Sequence, residues 1–242
     1  MHSKEYNFKE GEILCFDKPY EWTSFGLVAK VRYALCKKLK IKKLKVGHAG
    51  TLDPLATGVL IICTGKATKK IMELQAHTKE YIATIKLGAT TPSFDLEKEI
   101  DAVYPTEHIT QELVKDTLKK FVGTIEQVPP AFSACKVNGD RAYDLARKGE
   151  TVELKAKTLI IDEIELMQCQ LPEIVIRVVC SKGTYIRALA RDIGEALQSG
   201  AHLTALRRTR IGEYKVEDCL KIEDFPEWLA KQNINVTEEK QS

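Results

Sequence analysis

One stretch of the chain combines residue types that can do chemistry with a backbone that could position them. Residues 47–60 read GHAGTLDPLATGVL and place His48 and Asp53 in a glycine-rich loop ahead of an apolar run. Glycine permits close approaches that other residues resist, and Pro54 biases Asp53 toward an extended backbone. A carboxylate held in this way could act as a nucleophile or stabilise charge. From residue type alone, however, an aspartate before proline is more often a turn residue.

Two other kinds of site fit the sequence poorly. Six residues separate Gly58 from Gly65-Lys66, where a Walker phosphate loop has four, and Ala67 stands in place of the magnesium-binding Ser or Thr. The seven cysteines are scattered and form no CxxC pair. This argues against a zinc ribbon and a disulfide framework, and it favours a reducing compartment, the cytoplasm.

Positive charge is concentrated rather than abundant. The net charge is only +3, but residues 37–45 carry six lysines and no acid. A second basic cluster consists of Arg207, Arg208 and Arg210. Such patches attract phosphate even on a nearly neutral chain. A solvated surface balanced by acids elsewhere is equally compatible with the charge pattern.

Hydrophobic periodicity predicts the elements that surround the glycine-rich loop. Residues 12–16 favour a strand, and Ser24 is predicted to cap a helix whose apolar stripe includes Leu27, Val31 and Leu35. Residues 59–63 suit a buried strand. Alternation from Tyr81 to Leu87 indicates a strand with one core face. Residues 89–108 are polar and acidic, and they read as an excursion or long loop.

The second half of the chain alternates helices and strands without a regular βαβ period. Thr110 is predicted to cap a helix, residues 158–166 and 173–180 to form strands, and Thr184 to begin a helix that ends before Gly200. The pattern predicts an α/β protein of the α+β type, with a mixed, largely antiparallel sheet flanked by helices and loops.

The domain organisation follows from length and hydropathy. We predict one catalytic domain over residues 1–215 and a short tail over 216–242 with one helix near 225–231, because a further domain needs roughly 50 residues. The N-terminus lacks an apolar signal region, and the longest apolar run, 58–63, is too short to span a bilayer. These features predict a soluble protein with no membrane association.

The loop sequence resembles the catalytic motif of TruB-type pseudouridine synthases over fourteen consecutive residues. Further blocks resemble the family in order: DKPYEWTS (17–24), KEYIATIKLG (79–88), QVPPAFSACKVNGDRAYDLAR (127–147), VVCSKGTYIRALARDIG (178–194) and HLTALRRTRIG (202–212). Two features depart from the family. Glu21 stands where its members usually have glycine, and the tail is too short for the C-terminal RNA-binding PUA domain that many of them carry.

The resemblance implies the pseudouridine synthase fold and the conversion of uridine to pseudouridine in the T loop of tRNA (position 55 in tRNA numbering). The glycosidic bond is broken, the base rotates, and a carbon–carbon bond to the sugar forms. No redox change occurs and no group is lost. No cofactor or metal is therefore expected. The expected partner is the T arm of tRNA, bound by a cytoplasmic monomer with no obligate protein partner.

The resemblance also assigns roles to individual residues. Asp53, Tyr81 and Arg187 correspond to the catalytic set. Arg187 would keep Asp53 ionised and oriented, and Tyr81 would stack on the target base and assist proton transfer. The predicted substrate-binding residues are His48, Tyr185, Lys18, Lys136, Arg141, Arg207 and Arg208. The last five of these are expected to contact phosphates.

Three questions stay open at the level of sequence. Asp53 could attack the uracil ring or assist bond cleavage at the sugar. The target could be a uridine in another structured RNA. The scaffold could also be an inert RNA-binding or RNA-folding module, although binding alone would not need Asp53, Tyr81 and Arg187 together.

Overall fold

The computed structural model describes residues 4–133, 136–137, 140–141 and 154–235. The chain forms two compact units. The first comprises residues 1–77 and 208–242, and the second comprises residues 78–207. The sequence block at 127–147 lies partly outside the described residues.

The strands and helices are numbered in chain order. The strands are β1 (Glu5–Tyr6), β2 (Ile13–Lys18), β3 (Val46–His48), β4 (Ala56–Thr64), β5 (Lys79–Leu87), β6 (Ala89–Thr90), β7 (Ala102–Val103), β8 (Gly123–Gln127), β9 (Lys136–Val137), β10 (Asp140–Arg141), β11 (Lys157–Gln170), β12 (Glu173–Cys180), β13 (Ala201–Ile211), β14 (Tyr214–Lys215), β15 (Leu220–Lys221) and β16 (Asn233–Ile234). The helices are α1 (Ser24–Leu39), α2 (Ile71–Ala76), α3 (Gln111–Lys119), α4 (Ile186–Ala196) and α5 (Phe225–Ala230).

The first unit is built around the buried strand β4. Strands β2 and β3 pair antiparallel with β4, β15 runs parallel to β2, and β13 also neighbours β4. The apolar stripe of α1 packs on this sheet, where Leu27, Val31 and Leu35 join Phe16 and Leu60 in one core. The amphipathic pattern of α1 is therefore satisfied within the first unit.

The start of α1 differs from the sequence prediction by one residue. Thr23, not Ser24, is the N-cap, because Thr23 has extended dihedrals and its side chain accepts a hydrogen bond from the Gly26 N–H. Ser24 is the first helical residue, and it is buried. Its hydroxyl is therefore available for a different bond, described below.

The second unit carries the order β13–β5–β12–β11–β8. The pairings of β12 with β5 and β11, and of β11 with β8, are antiparallel. Helix α3 packs on β11 and contacts α4, which also contacts β5. This arrangement confirms the predicted α+β class with a mixed, largely antiparallel sheet.

Strand β5 alternates as the sequence predicts. Lys79, Tyr81, Ala83, Ile85 and Leu87 are all buried, while the residues between them are more exposed. Thr110 caps α3 by accepting a hydrogen bond from the Leu113 N–H, which confirms that prediction. The polar excursion after β5 is partly ordered, since β6 and β7 pair antiparallel at its two ends.

Residues 216–235 pack within the first unit. Strand β16 pairs with β1, and the predicted helix near 225–231 is confirmed as α5, with Phe225 and Leu229 buried. The scattered cysteines did not predict a pair, but Cys15 and Cys219 form a disulfide with Cα atoms 4.8 Å apart. Parallel pairing of β15 with β2 brings these residues together across 204 residues of sequence.

Candidate active site

The loop between β3 and β4 carries Asp53, and it is anchored immediately before that residue. The Ser24 hydroxyl donates to the Leu52 carbonyl and accepts from the Leu52 N–H, with both distances 2.9 Å. A buried pair of bonds of this kind fixes both polar groups of the Leu52 main chain. The start of α1 therefore sets the position of the residue that precedes Asp53.

The loop is anchored again immediately after Asp53. The Pro54 carbonyl accepts hydrogen bonds from the Glu21 N–H at 2.9 Å and from Lys18 Nζ at 3.2 Å. The Ala56 N–H bonds to the Asp53 carbonyl at 3.1 Å, which leads the chain into β4. The Asp53 main chain is thus held on both sides, while its side chain remains partly exposed.

Lys18 is an internal residue at the end of β2. Its side chain is fully buried, and its ammonium also donates to the carbonyls of Pro19 at 2.8 Å and Trp22 at 2.6 Å. Burial lowers the pKa of Lys18 to about 8, although the nearby Asp53 carboxylate opposes this shift. Arg208 lowers it further, so Lys18 responds electrostatically to both residues.

Arg208 holds the opposite side of the loop. Its guanidinium is buried and donates to the carbonyls of Val59 at 2.8 Å, Gly50 at 3.1 Å and Thr51 at 3.3 Å. The planar fork of arginine suits such a multiple contact. Because both side chains are buried and bonded to internal carbonyls, Lys18 and Arg208 do not fit the predicted role of phosphate contacts. Both instead position the loop that carries Asp53.

Two of the motif glycines meet a geometric need. Gly58 has φ of +107°, and a Cβ added there would collide with the main chain of Arg208. Gly50 has φ of +97°, which L side chains rarely adopt. The first glycine allows β4 and β13 to approach, and the second lets the loop turn beneath Arg208.

His48 ends β3, where it pairs with Ile62 of β4. Burial and the charge of Arg208 lower the pKa of His48, so its ring favours the neutral form. Within the described residues, the buried His48 Nδ1 has no hydrogen-bond partner. A buried nitrogen without a partner costs free energy unless a ligand supplies one.

Arg187 belongs to the second unit, at the start of α4. It is 5% exposed, and it donates to the carbonyls of Ser93 at 3.2 Å and Phe132 at 2.8 Å. Its Nε lies 3.7 Å from Asp95 Oδ2. A solvated surface arginine is therefore excluded. The segment between β6 and β7 supplies two of these contacts, the Ser93 carbonyl and the Asp95 carboxylate. The acidic excursion therefore helps to hold Arg187 in place.

The two predicted tyrosines also lie in the second unit. Tyr81 is 7% exposed on the core face of β5, opposite Val178 of β12. Tyr185 is the N-cap residue of α4, and its main chain is held by the Gln127 side chain. Gln127 accepts from the Tyr185 N–H at 2.9 Å and donates to its carbonyl at 3.2 Å.

The remaining predicted residues are placed less completely. Arg207 is half-buried on β13. Lys136 and Arg141 pair across the β9–β10 ladder, and their side chains lie outside the described part of the chain. Asp53, His48, Lys18 and Arg208 belong to the first unit, whereas Arg187, Tyr81 and Tyr185 belong to the second. The pairing of Asp53 with Arg187 therefore stays a prediction.

Sequence reasoning missed several positioning residues. Ser24, Gln127 and Asp95 each bond to a predicted site residue or to its neighbour. Their types carried a weak signal, because Ser24 suits a helix cap and Asp95 a turn. Across the described residues, no group of three His, Cys, Asp or Glu side chains is arranged to hold a metal ion. No described helix is long and apolar enough to cross a membrane.

Comparison with family models identifies the kind of protein. A model described as TruB family pseudouridylate synthase (N terminal domain) matches residues 37–186. A second, described as tRNA pseudouridylate synthase B C-terminal domain, matches residues 187–240. The α+β fold and these matches define a pseudouridine synthase. Within that class, the chain belongs to the TruB family.

Curated relatives are similar in sequence to this protein over nearly the whole chain. A protein of Phocaeicola vulgatus named tRNA pseudouridine synthase B is 77% identical over 228 residues, covering 94% of this chain and 97% of the relative. A protein of the same name from Flavobacterium johnsoniae is 56% identical over 230 residues, covering 95% of this chain and 100% of the relative.

Solved structures with the same fold are longer. A chain from an H/ACA RNP bound to a substrate RNA containing 2'-deoxyuridine has a TM-score of 0.66 and 27% identity over 92% of this chain. A chain from a Cbf5-Nop10-Gar1 complex has a TM-score of 0.68 and 28% identity, also over 92%. This chain spans about half the length of each, 54% and 55% respectively.

Proposed function

We propose that this pseudouridine synthase isomerises the uridine at position 55 (in tRNA numbering) in the T loop of tRNA, with Asp53 as its catalytic carboxylate. The observation that carries the proposal is the double anchoring of the Asp53 main chain through Leu52 and Pro54. Anchoring on both sides fixes the position of the main chain that carries the Asp53 carboxylate before the reaction begins. Such positioning of a reactive group is a large part of the rate enhancement that catalytic sites supply.

The reaction needs a charged group next to the sugar and base. The bond from the sugar carbon to the ring nitrogen breaks, and a bond from the same carbon to a ring carbon forms. That ring carbon loses a proton, and the released nitrogen gains one, so the reaction conserves atoms and electrons. An ionised Asp53 serves this sequence whether it adds to the ring or to the sugar carbon. No added cofactor is needed to balance it.

The other proposed roles rest on each residue's own environment. The target uridine lies in a folded loop, so it must be flipped out to reach the Asp53 carboxylate. Tyr81 would stack on the flipped base and assist proton transfer, and Arg187 would keep Asp53 charged. Internal carbonyls already hold the Arg187 guanidinium in a fixed orientation. Tyr185 and His48 would meet the extruded base.

The wider proposal concerns partners and organisation. Residues 1–215 form the catalytic domain, and 216–242 form a short tail. The enzyme acts as a cytoplasmic monomer that binds the T arm without an obligate protein partner. Arg207, Lys136 and Arg141 remain proposed phosphate contacts. The relatives named tRNA pseudouridine synthase B, which this chain matches over almost their whole length, support the choice of tRNA.

Pseudouridine mapping on a tRNA transcript and on a minimal T-arm stem-loop tests the proposal. Wild-type protein should modify one uridine in each RNA. Asp53→Asn nearly preserves side-chain shape and removes the charge, so it should fold and bind RNA normally but lose turnover by at least about a thousandfold. Asp218→Asn is a matched control at an exposed aspartate of the same unit, and it should behave as wild type.

Each alternative has a distinct outcome. Wild-type-like single-turnover rates for Asp53→Asn would reject the assigned carboxylate. Tight tRNA binding by the wild type without product would favour an inert binding module. Modification of a different structured RNA, with the T arm untouched, would move the substrate away from tRNA.

A further inference from the structure

A groove of about 620 Å³ opens on the first unit between α1 and the segment that leads into β3. Four cationic side chains line it: Arg32 from the helix, and Lys42, Lys43 and Lys45 from the segment. No acidic residue is among its lining residues. The groove therefore concentrates positive charge from both sides on one opening.

These four charges are not neutralised internally. Within the described part of the chain, Arg32, Lys42, Lys43 and Lys45 have no ion pair or hydrogen bond from their side chains. All four are exposed. Like charges that lie close together without counter-charges repel one another. A bound polyanion neutralises this repulsion, and the release of its own counterions favours the binding.

An exposed aromatic ring lies in the same groove. Tyr33 is 68% exposed although it lies on a well-packed helix, and Leu44 adds an apolar wall. Cations around an exposed aromatic ring are typical of surfaces that bind nucleic-acid strands, where a base stacks on the ring and the lysines follow the backbone. A purely electrostatic surface would gain nothing from exposing Tyr33.

The groove wall is fixed and lies close in sequence to the catalytic loop. The Gly65 N–H donates to the Lys45 carbonyl at 2.8 Å, and the Ile41 N–H donates to the Cys36 carbonyl at 3.1 Å. Lys45 directly precedes β3, which ends at His48. Three strand residues span about 10 Å, a distance that a few nucleotides cover. An RNA strand that reaches His48 can therefore also reach the groove.

We propose that this groove binds the RNA strand that flanks the target uridine, with phosphates on Arg32, Lys42, Lys43 and Lys45 and one base against Tyr33. This inference rests on the proposed function, since it takes its ligand to be the substrate RNA. It also divides the lysine-rich run of the sequence. Lys37, Lys38 and Lys40 do not line the groove, and they are not part of the proposed surface.

The division of the lysine run provides a matched control. We expect the triple variant Lys42→Gln/Lys43→Gln/Lys45→Gln to bind tRNA more weakly. The salt slope of its log affinity should fall by roughly two or more, at about 0.7 to 0.9 per phosphate contact. The variant Lys37→Gln/Lys38→Gln/Lys40→Gln removes the same charge from the same run and should change the slope by less than one. At saturating RNA, the Lys37→Gln/Lys38→Gln/Lys40→Gln variant should keep the wild-type single-turnover rate.

Substitution of Tyr33 tests the stacked base. Tyr33→Ala should weaken binding by about 5- to 150-fold, the range for loss of one base–aromatic stack. Tyr33→Phe keeps the ring and should bind as wild type does. Poly-L-glutamate, used as a competing polyanion, should displace tRNA far less effectively than an unlabelled T-arm stem-loop.

Equal salt slopes for the two triple variants, or wild-type affinity for Tyr33→Ala, would contradict the proposed binding of RNA in the groove. Equal competition by poly-L-glutamate would also contradict it, because it would indicate a surface that binds any polyanion. Failure of the proposed function looks different. No pseudouridine would form with any variant, while the binding differences between the two triple variants would persist.

Discussion

At the scale of single residues, the candidate site depends on side chains that are far apart in sequence. Ser24, Lys18 and Arg208 all bond to carbonyl or amide groups of the loop around Asp53. Two of them were predicted to touch phosphate, because lysine and arginine in an RNA-binding family favour that assignment. Burial changes the outcome, since a cation removed from water must spend its donors on internal acceptors.

Arg208 provides a prediction that separates positioning from RNA contact. Arg208→Lys keeps the charge, but one ammonium nitrogen cannot occupy the three separate positions from which the guanidinium nitrogens bond to the Val59, Thr51 and Gly50 carbonyls. We expect the single-turnover rate to fall by at least about tenfold, with RNA affinity within about twofold of wild type. Arg207→Lys on the same strand is the control and should keep the wild-type rate. A normal rate with a flatter salt slope for Arg208→Lys would restore the phosphate role.

Lys18 provides a prediction about pH. Its pKa falls from 10.5 in the unfolded chain to about 8 in the fold. Between these values the unfolded chain holds a proton that the folded chain has lost, so the contribution of Lys18 to the free energy of unfolding increases with pH. Below pH 8 the ammonium is charged in both states, and this contribution is constant.

Urea unfolding at several pH values measures the effect. The profile for wild type minus that for Lys18→Met should rise between pH 8 and 10.5 by up to about 1.4 kcal/mol per pH unit. NMR of lysine labelled with ¹³C at Cε should show one signal titrating near pH 8 that is absent from Lys18→Met. Parallel unfolding profiles, or a Lys18 midpoint near 10.5, would contradict the assignment.

At the scale of elements, the turn between β2 and α1 tolerates a residue that its geometry disfavours. Glu21 has φ of +65°, a left-handed conformation that suits glycine. The departure from the TruB pattern therefore leaves the turn itself in place. The Glu21 N–H still bonds to the Pro54 carbonyl beside Asp53, so the anchor is retained despite backbone strain.

Glu21→Gly should relieve that strain. A non-glycine residue in the left-handed region costs about 1–2 kcal/mol, and the greater freedom of glycine in the unfolded chain offsets about half of it. We expect thermal unfolding to shift upward by about 1–4 °C, with activity unchanged. Glu21→Ala removes the charge but keeps Cβ, so it should not be stabilised. Equal stabilisation by alanine would show that charge, not backbone conformation, limits this turn.

At the scale of the whole molecule, chain ends that are distant in sequence build the unit that carries Asp53. Residues 208–242 join residues 1–77, and β13 supplies Arg208 to that unit while its earlier residues belong to the other. Contacts within this unit connect positions more than a hundred residues apart, as the bond from the Arg208 side chain to the Val59 carbonyl shows. The loop that carries Asp53 is therefore held by residues from both segments of this unit as well as by its local motif.

The proposed isomerisation predicts that the whole protein needs no added cofactor. Purified protein should convert a T-arm stem-loop that folds without magnesium in the presence of excess EDTA and no nucleotide. The rate should match that of a parallel reaction without EDTA. A rate that falls with EDTA and returns on addition of one metal ion would reveal a metal requirement, because the minimal RNA excludes an effect on substrate folding.

The sequence by itself determined the class of fold, most elements and the loop that carries Asp53. These follow from short-range physics: the alternation along β5, the stripe of α1, the cap at Thr110 and the Asp53-Pro54 pair each need only neighbouring residues. The fourteen consecutive motif residues 47–60 also indicate the family by themselves.

Only the tertiary structure decided what holds the loop and which cations remain free. Arg208 and Lys42 are both cationic residues in basic segments, yet the first is buried on internal carbonyls and the second lines an open groove. Arg208 lies on β13, where its main chain packs against Gly58 and its guanidinium bonds to the Val59 carbonyl, whereas Lys42 lies in an irregular segment outside any strand. Burial and hydrogen-bond partners are non-local quantities, and they turn equal charges into a structural anchor in one place and a proposed RNA contact in the other.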